Sequence, residues 1–296
     1  MKILLTGATG FIGRAFCRQA VERGHEIVAL VRSERPSRPG VSSPGVQQVL
    51  GSLAEPPWQE IERLSPEACV HCAWIATPGV YLESPENAVF LEQSRSFFLN
   101  AFQRGMRRVL ALGSCAEYAF TGQPLHECDP VDPRSAYARC KNQLRVWLEE
   151  ESQRRGASAC WARVFYPYGP GEHPGRFPSW VIQQLLRSEP VVLKTPSSMK
   201  DYVFIEDLVE AMILLLERGA SGSVNIGSGE GVTVNSLAHL IGALMDRESF
   251  IQVPAQASVD PFPHLVAEVS RLRSFGWIPR INLEAGLGKL IALCPA

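Results

Sequence analysis

Apolar and polar positions along this 296-residue chain fall into two alternating periods. Short, mostly apolar stretches at 3–5, 26–31, 46–50, 68–72, 108–112 and 159–165 predict strands, and their continuous apolar character fits a sheet covered on both faces. Between them, stretches at 11–20, 87–105 and 137–155 bring apolar residues round every three or four positions, the period of a helix with one buried stripe. Repeated strand–helix units with right-handed crossovers give an α/β fold with a doubly wound parallel sheet. The rhythm changes after residue 165. Residues 166–178 are rich in proline and glycine and are expected to be irregular; a helix at 206–218 and a strand at 223–226 follow. The division expected is a main domain at 1–165, to which 200–228 returns, and a smaller C-terminal substrate-binding lobe made of 166–199 and 229–296. Residues 32–44 are expected to form a surface loop.

The first predicted strand runs into glycines at 7, 10 and 13, and a helical pattern opens at Phe11 and Ile12. Glycine permits a tight turn and close backbone approach to a phosphate. The helix N-terminus offers unpaired N–H groups and a positive dipole end. Strand, glycine turn and helix in this order mark the dinucleotide site of a Rossmann-type domain.

Bulk composition narrows the partners. With 46% hydrophobic residues, 20% charged residues and a net charge of −1, the chain reads as globular, with no electrostatic case for nucleic acid or a membrane surface. No apolar run approaches the ~18 residues of a membrane span. A strand beginning at residue 2 argues against a cleavable signal, and the expected location is cytoplasmic. Eight cysteines are scattered and expected to be reduced. Cys69 and Cys72 have CxxC spacing, but no second pair accompanies them and they sit in a predicted buried strand, so no metal is expected.

Tyr137 and Lys141 lie four residues apart at the start of the predicted helix 137–155 and share one face. An adjacent ammonium stabilises a phenolate and makes the phenol a usable proton donor or acceptor. Ser114 follows the strand at 108–112, at the carboxyl end where open α/β sheets bind ligands.

In this combination and order the residues resemble the extended short-chain dehydrogenase/reductase family, also called the NAD-dependent epimerase/dehydratase family. Residues 6–13 resemble its cofactor loop, 71–73 the segment beside the cofactor ribose, and 114–118 its catalytic Ser/Thr four residues before a tyrosine. Residues 133–141 resemble its Pro-x-Ser-x-Tyr-x-x-x-Lys, and 163–171 the strand and loop between nicotinamide and substrate. Residues 201–207, 225–229 and 271–277 resemble its later signatures. The resemblance implies that Tyr137 is the acid/base, that Lys141 lowers its pKa and binds the nicotinamide ribose, and that Ser114 bonds the reacting oxygen. It implies cofactor contacts at Gly7, Thr9, Gly10, Phe11, Ile12, Gly13, Arg32, Ser52, Leu53, Cys72, Ala73, Tyr137, Lys141 and Phe165, and a homodimer.

Departures from the family pattern refine the expectation. Where an acidic residue would bind the NAD ribose, the chain has Arg32, with Arg35 and Arg38 nearby; a guanidinium suits a 2′-phosphate, so NADP(H) is favoured, with NAD(H) the alternative. Ser52 stands where the family often has Asp near the adenine. Sugar-nucleotide dehydratases carry Asp-Glu after the catalytic Thr; Cys115 and Ala116 stand in those places, which argues against dehydration. Cys115, Glu117, Tyr166, Arg176 and Lys200 are the expected substrate contacts. Lys200 occupies the place of a diphosphate-binding arginine, and no arginine is found near Ala257, where a second is expected. The reading is an NADP(H)-dependent reductase of a keto group on a nucleotide-linked deoxyhexose, a 4-ketoreductase. An NAD-dependent nucleotide-sugar 4-epimerase is the enzyme alternative, and a nucleotide-sensing binding protein the other.

Overall fold

Strand β1 (Lys2–Thr6) is the middle of the sheet that organises the molecule, and Ile3, Leu4 and Leu5 in it have no exposed surface. The computed structural model describes residues 1–33, 41, 43–256 and 258–294. After β1 come α1 (Phe11–Glu22), β2 (Glu26–Val31), β3 (Val46–Leu50), α2 (Trp58–Leu64), β4 (Ala68–His71), α3 (Glu86–Gln103), β5 (Arg108–Ser114), α4 (Ala136–Arg154) and β6 (Ser158–Val164). Then follow β7 (Tyr166–Tyr168), α5 (Phe177–Leu186), β8 (Val191–Val192), β9 (Met199–Phe204), α6 (Ile205–Glu217), β10 (Gly222–Ile226), β11 (Gly231–Thr233), α7 (Val234–Leu244), β12 (Ile251–Gln252), β13 (His264–Leu265), α8 (Ser270–Ser274) and α9 (Leu283–Ala292).

Seven strands form a parallel Rossmann-type sheet in the order β10-β6-β5-β4-β1-β2-β3. Thr6 pairs with Leu30 on one side and His71 on the other, so the carboxyl ends of β1, β2 and β4 are level. The order reverses at β1, the switch point where such sheets open a crevice. One face is covered by α3 and α4: Phe97, Phe98 and Phe102 with Leu144 and Leu148 pack on Leu4, Val28, Cys69 and Val109. Burying a large apolar side chain contributes about 1.5–3 kcal/mol, so this layer fixes where the strand ends lie.

The chain divides into two compact units. The first holds Met1–Glu117, Pro133–Arg163 and Val209–Val224; the second holds Tyr118–Asp132, Val164–Leu208 and Asn225–Ala296. This differs from the division expected from the sequence, because 118–132 belongs with the later residues. Tyr118 Oη donates to Asn225 Oδ1 at 2.7 Å, and Asn225 N donates to Glu127 Oε1 at 2.8 Å. Those partners are about a hundred residues apart and no local pattern announces them. Residues 200–208 also fall in the second unit, where β9 pairs with β7, β11 and β13. Residues 166–178 are more regular than expected: Tyr166–Tyr168 pairs with β9, and α5 begins at Phe177. Among the described residues, no helix is long and apolar enough to cross a membrane.

In the second unit Glu172 caps α5. Its Oε1 accepts the Ser179 N–H at 3.0 Å and the Ser179 hydroxyl at 2.6 Å. Burial outweighs these bonds and pushes the carboxyl up to about 7. A raised folded pKa contributes stability that is complete below the ordinary carboxyl value and is lost as pH rises through the folded one. Wild type is therefore expected to lose about 2–3 kcal/mol relative to Glu172→Gln between about pH 5 and pH 8. Thermal melts of both proteins at the two pH values check this; a pH-independent difference in Tm contradicts it.

Candidate functional site

The turn from β1 into α1 is closed by the Gly10 N–H donating to the Gly7 carbonyl at 3.0 Å. Gly7 has φ +71°, a conformation that disfavours any side chain, and a Cβ on it would lie 2.6 Å from the Ala73 nitrogen. A Cβ on Gly13 would lie 2.2 Å from the Gly7 carbonyl oxygen. The three glycines therefore let β1, the end of β4 and the start of α1 meet backbone to backbone. This is the cradle a pyrophosphate requires.

A cavity of about 390 Å³ opens on that cradle. Gly7, Thr9 and Gly10 line it, with Arg32 after β2, Ser52 and Leu53 after β3, and Cys72 and Ala73 after β4. Eight of the expected cofactor contacts are thus brought together. Phe11 and Ile12 begin α1, and Gly13 is buried against the loop; these three do not line the cavity. Phe165 belongs to the second unit and packs on the Tyr118 ring, centroids 6.5 Å apart. Arg35, Arg38 and Ala257 lie outside the described residues. Trp74, Phe90 and Gln93 also line the cavity and escaped the sequence reading. Trp74 directly follows the Cys72–Ala73 segment, and Phe90 and Gln93 are three apart on one face of α3, so both carried a local signal.

His71 ties this region together. Ser94 Oγ donates to the Phe90 carbonyl at 2.6 Å, so it accepts the His71 Nε2–H at 3.1 Å. His71 Nδ1 is then left to accept from Thr6 Oγ1 at 2.9 Å, while Thr6 Oγ1 accepts the Ala73 N–H at 3.3 Å. Burial, helped by the charge on Lys141, pushes His71 down to about 3, so the imidazole is neutral. It is a structural link between β1, β4 and α3. Burial likewise pushes the Cys69 and Cys72 thiols well up, which disfavours thiolate ligands. Among the described residues, the one group spaced to hold a metal is His126, Glu127 and Glu268. His126 Nδ1 accepts the Cys128 N–H there, which leaves Nε2 to carry a proton toward the two carboxylates, 3.7 and 3.9 Å away.

Ser114 ends β5, and its Oγ accepts the Ala116 N–H at 3.2 Å. Ser135 caps α4 by accepting the Ala138 N–H, which starts the helix in time to carry Tyr137 and Lys141 on one face. Tyr137 meets the Tyr81 ring edge-to-face at 4.9 Å, and its N–H donates to the Leu82 carbonyl. Lys141 is buried, donates from Nζ to the Leu112 carbonyl at 2.7 Å, and stands 4.0 Å from the centre of the Trp74 ring. Trp74 therefore joins the Tyr137–Lys141 pair to the cavity. Burial pushes the Lys141 ammonium down to about 7, opposed foremost by Glu117.

The expected substrate contacts fare differently. Glu117 is a correction: it is wholly buried, and its carboxylate accepts from Ser114 N, Trp161 Nε1 and Arg163 Nε instead of facing a ligand. Cys115 is buried at the start of the same turn. In the second unit, Tyr166 lies beneath Lys200, whose Nζ is 5.6 Å from the ring centre. Lys200 also donates to Asp260 Oδ2 at 2.8 Å and to the Phe262 carbonyl, so its charge is already balanced. Arg176 is half-buried at the N-cap of α5.

Sheet and glycine cradle are those of an extended short-chain dehydrogenase/reductase, and the protein is an enzyme of that class. The chain belongs to the NAD dependent epimerase/dehydratase family, whose model matches residues 3–227. It is 26% identical over 314 residues to dTDP-4-dehydro-6-deoxyglucose reductase of Escherichia coli, covering 98% of this chain and 96% of the relative. It is 24% identical to UDP-glucuronic acid decarboxylase 1 of Danio rerio, covering 98% and 72%. Among solved structures it resembles the UDP-glucose 4-epimerase of Thermus thermophilus in complex with NAD, with a TM-score of 0.84, 25% identity, and 99% and 98% coverage.

Proposed function

We propose that the protein is an NADP(H)-dependent 4-ketoreductase of a nucleotide-linked deoxyhexose. The observation that carries reduction over water loss is Cys115-Ala116 after Ser114, a pair with no carboxylate to drive elimination. The Escherichia coli reductase, matched over nearly its whole length, supports the same reaction class. Gly7, Gly10, Gly13 and the walls of the 390 Å³ cavity would hold the dinucleotide, whose nicotinamide supplies a hydride when bound. Ser114 and Tyr137 both donate to the substrate carbonyl oxygen, and Tyr137 passes its proton to it as the alkoxide forms. Lys141, as the ammonium, makes that phenol the stronger acid. Because Lys141 is charged below about 7, turnover falls on the alkaline side of neutrality.

The cofactor assignment rests on Arg32 at the cavity wall, where a carboxylate would favour NAD. Arg32→Ala is expected to lower selectivity for NADPH over NADH about tenfold, the worth of one charge-assisted bond to phosphate. The ratio of kcat/KM for the two cofactors reads this directly, and an unchanged ratio sinks the assignment. Arg176, and Lys200 if it exchanges Asp260 for a phosphate, supply positive charge for the substrate diphosphate. The expected assembly is a homodimer through α3 and α4, which expose Val89 and Val146.

The likeness to an NAD-bound 4-epimerase favours epimerisation as the second reading. Purified protein mixed with NADPH and a panel of nucleotide-linked 4-keto sugars separates the two. Loss of reduced-nicotinamide absorbance supports the reductase. No oxidation, with NAD co-purifying in the protein, supports the epimerase.

A further inference from the structure

Glu117 has no exposed surface, yet its carboxylate is ringed by N–H groups that lead to the catalytic strand. Oε1 accepts the Ser114 N–H at 2.8 Å, both oxygens accept the Trp161 Nε1–H at 3.1 Å, and Oε2 accepts the Arg163 Nε–H at 2.9 Å. Each of these partners donates, the complement of a carboxylate. Gly113 leaves the room: a Cβ there would stand 2.1 Å from Trp161 Nε1 and 2.8 Å from Glu117 Oε1. Two residues before Ser114 on β5, the Leu112 carbonyl takes the Lys141 ammonium.

Lys141 Nζ stands 5.9 Å from the centres of both the Tyr137 and the Trp161 rings. Trp161 Nε1 in turn donates to both Glu117 oxygens, so one indole lies between the ammonium and the carboxylate. Cys72, an uncharged thiol, and the neutral His71 stand at the end of β4. Arg163 stands behind Glu117. Burial drives Lys141 down to about 7, and Glu117 is the foremost group holding it up. A buried ion pair adds little to stability, since a well-packed apolar pair of the same volume does as well or better. Its place at the end of β5 points to a role in the site.

We propose that Glu117 is a positioning residue for the catalytic set: it pins the Ser114 backbone at the end of β5 and, across the Trp161 indole, sets a negative charge opposite the Lys141 ammonium. The kinetic arm of the test rests on the reductase reading; the binding arm does not.

Glu117→Gln keeps an oxygen for the Ser114 N–H and removes the charge. NADPH affinity, followed by nicotinamide fluorescence, is measured against pH in wild type, Glu117→Gln and Lys141→Met. The part of the pH dependence that Lys141→Met abolishes belongs to Lys141. Its midpoint is expected near 7 in wild type and about one pH unit lower in Glu117→Gln. With a substrate that turns over, the alkaline limb of kcat moves down by the same amount. At a pH on that limb and with saturating NADPH, kcat falls roughly tenfold with the KM of the keto sugar unchanged. An unmoved midpoint overturns the proposal whatever the substrate panel gives, whereas a silent panel with a moved midpoint overturns only the reductase reading. If Glu117→Gln does not fold, the double variant Glu117→Gln/Arg163→Met removes both charges together. Because loss of the Arg163 cation by itself raises Lys141, the double variant is read against Arg163→Met alone: a lower midpoint in the double variant supports the proposal, and equal midpoints in the two overturn it. If neither folds, Glu117 serves the fold alone and the proposal falls.

Discussion

Tyr137→Phe is expected to lower kcat by about 10²–10⁴, the usual worth of a positioned proton donor. The substitution removes one oxygen and leaves the ring. The edge-to-face contact with Tyr81 and the N–H bond to the Leu82 carbonyl both survive it. Lys141 keeps its bond to the Leu112 carbonyl and its place over Trp74. NADPH affinity and Tm are therefore expected to stay near wild type while turnover collapses. That combination separates chemistry from folding: a general loss of structure would lower all three. More than a few per cent of wild-type kcat in this variant, with the true substrate, removes Tyr137 from the mechanism.

Gly13→Ala carries the largest effect expected on the cofactor end. Its new Cβ would stand 2.2 Å from the Gly7 oxygen and 2.8 Å from the Gly7 carbonyl carbon, both backbone. No rotamer relieves a clash with main chain, so the loop must move away from α1. The loop cannot retreat easily, because Gly7 is itself held against Ala73. We expect a loss of about 3 kcal/mol in stability and at least a hundredfold in NADPH affinity. Gly288→Ala is the control. It lies in α9 with nothing within 4 Å of the added methyl, and alanine there is expected to be neutral or stabilising by up to about 1 kcal/mol. Chemical denaturation and fluorescence titration measure both variants. Equal behaviour of the two would show that close approach at Gly13 is not what shapes the cradle.

Much of the sheet was legible because strand and helix periods are local properties. The strands at 26–31 and 46–50 have the bounds expected, and α4 begins within one residue of its expected start. Helix α2 was missed: it is seven residues long, follows two prolines and has one buried residue, Ile61, so no period could register. Glu117 was misread for a different reason. A charged side chain three residues after Ser114 suggests a ligand contact, and its partner, Arg163, lies 46 residues further on. The partner of Lys200 was equally out of reach of the sequence: Asp260, to which it donates, lies 60 residues away.

Taken alone, the sequence determined whatever depends on backbone freedom and spacing. The glycines at 7, 10 and 13 permit close approach because they lack a side chain. Tyr137 and Lys141 share a face because a helix turns every 3.6 residues. The missing carboxylates at 115 and 116 are matters of residue identity. Tertiary structure alone decided which charges meet and which are stripped of water. Lys141 titrates near neutrality because it is buried, and Glu117 opposes that shift from a turn on another element. Desolvation and Coulomb energy depend on surroundings and distance in three dimensions, and neither is a property of a residue type or of its neighbours in the chain.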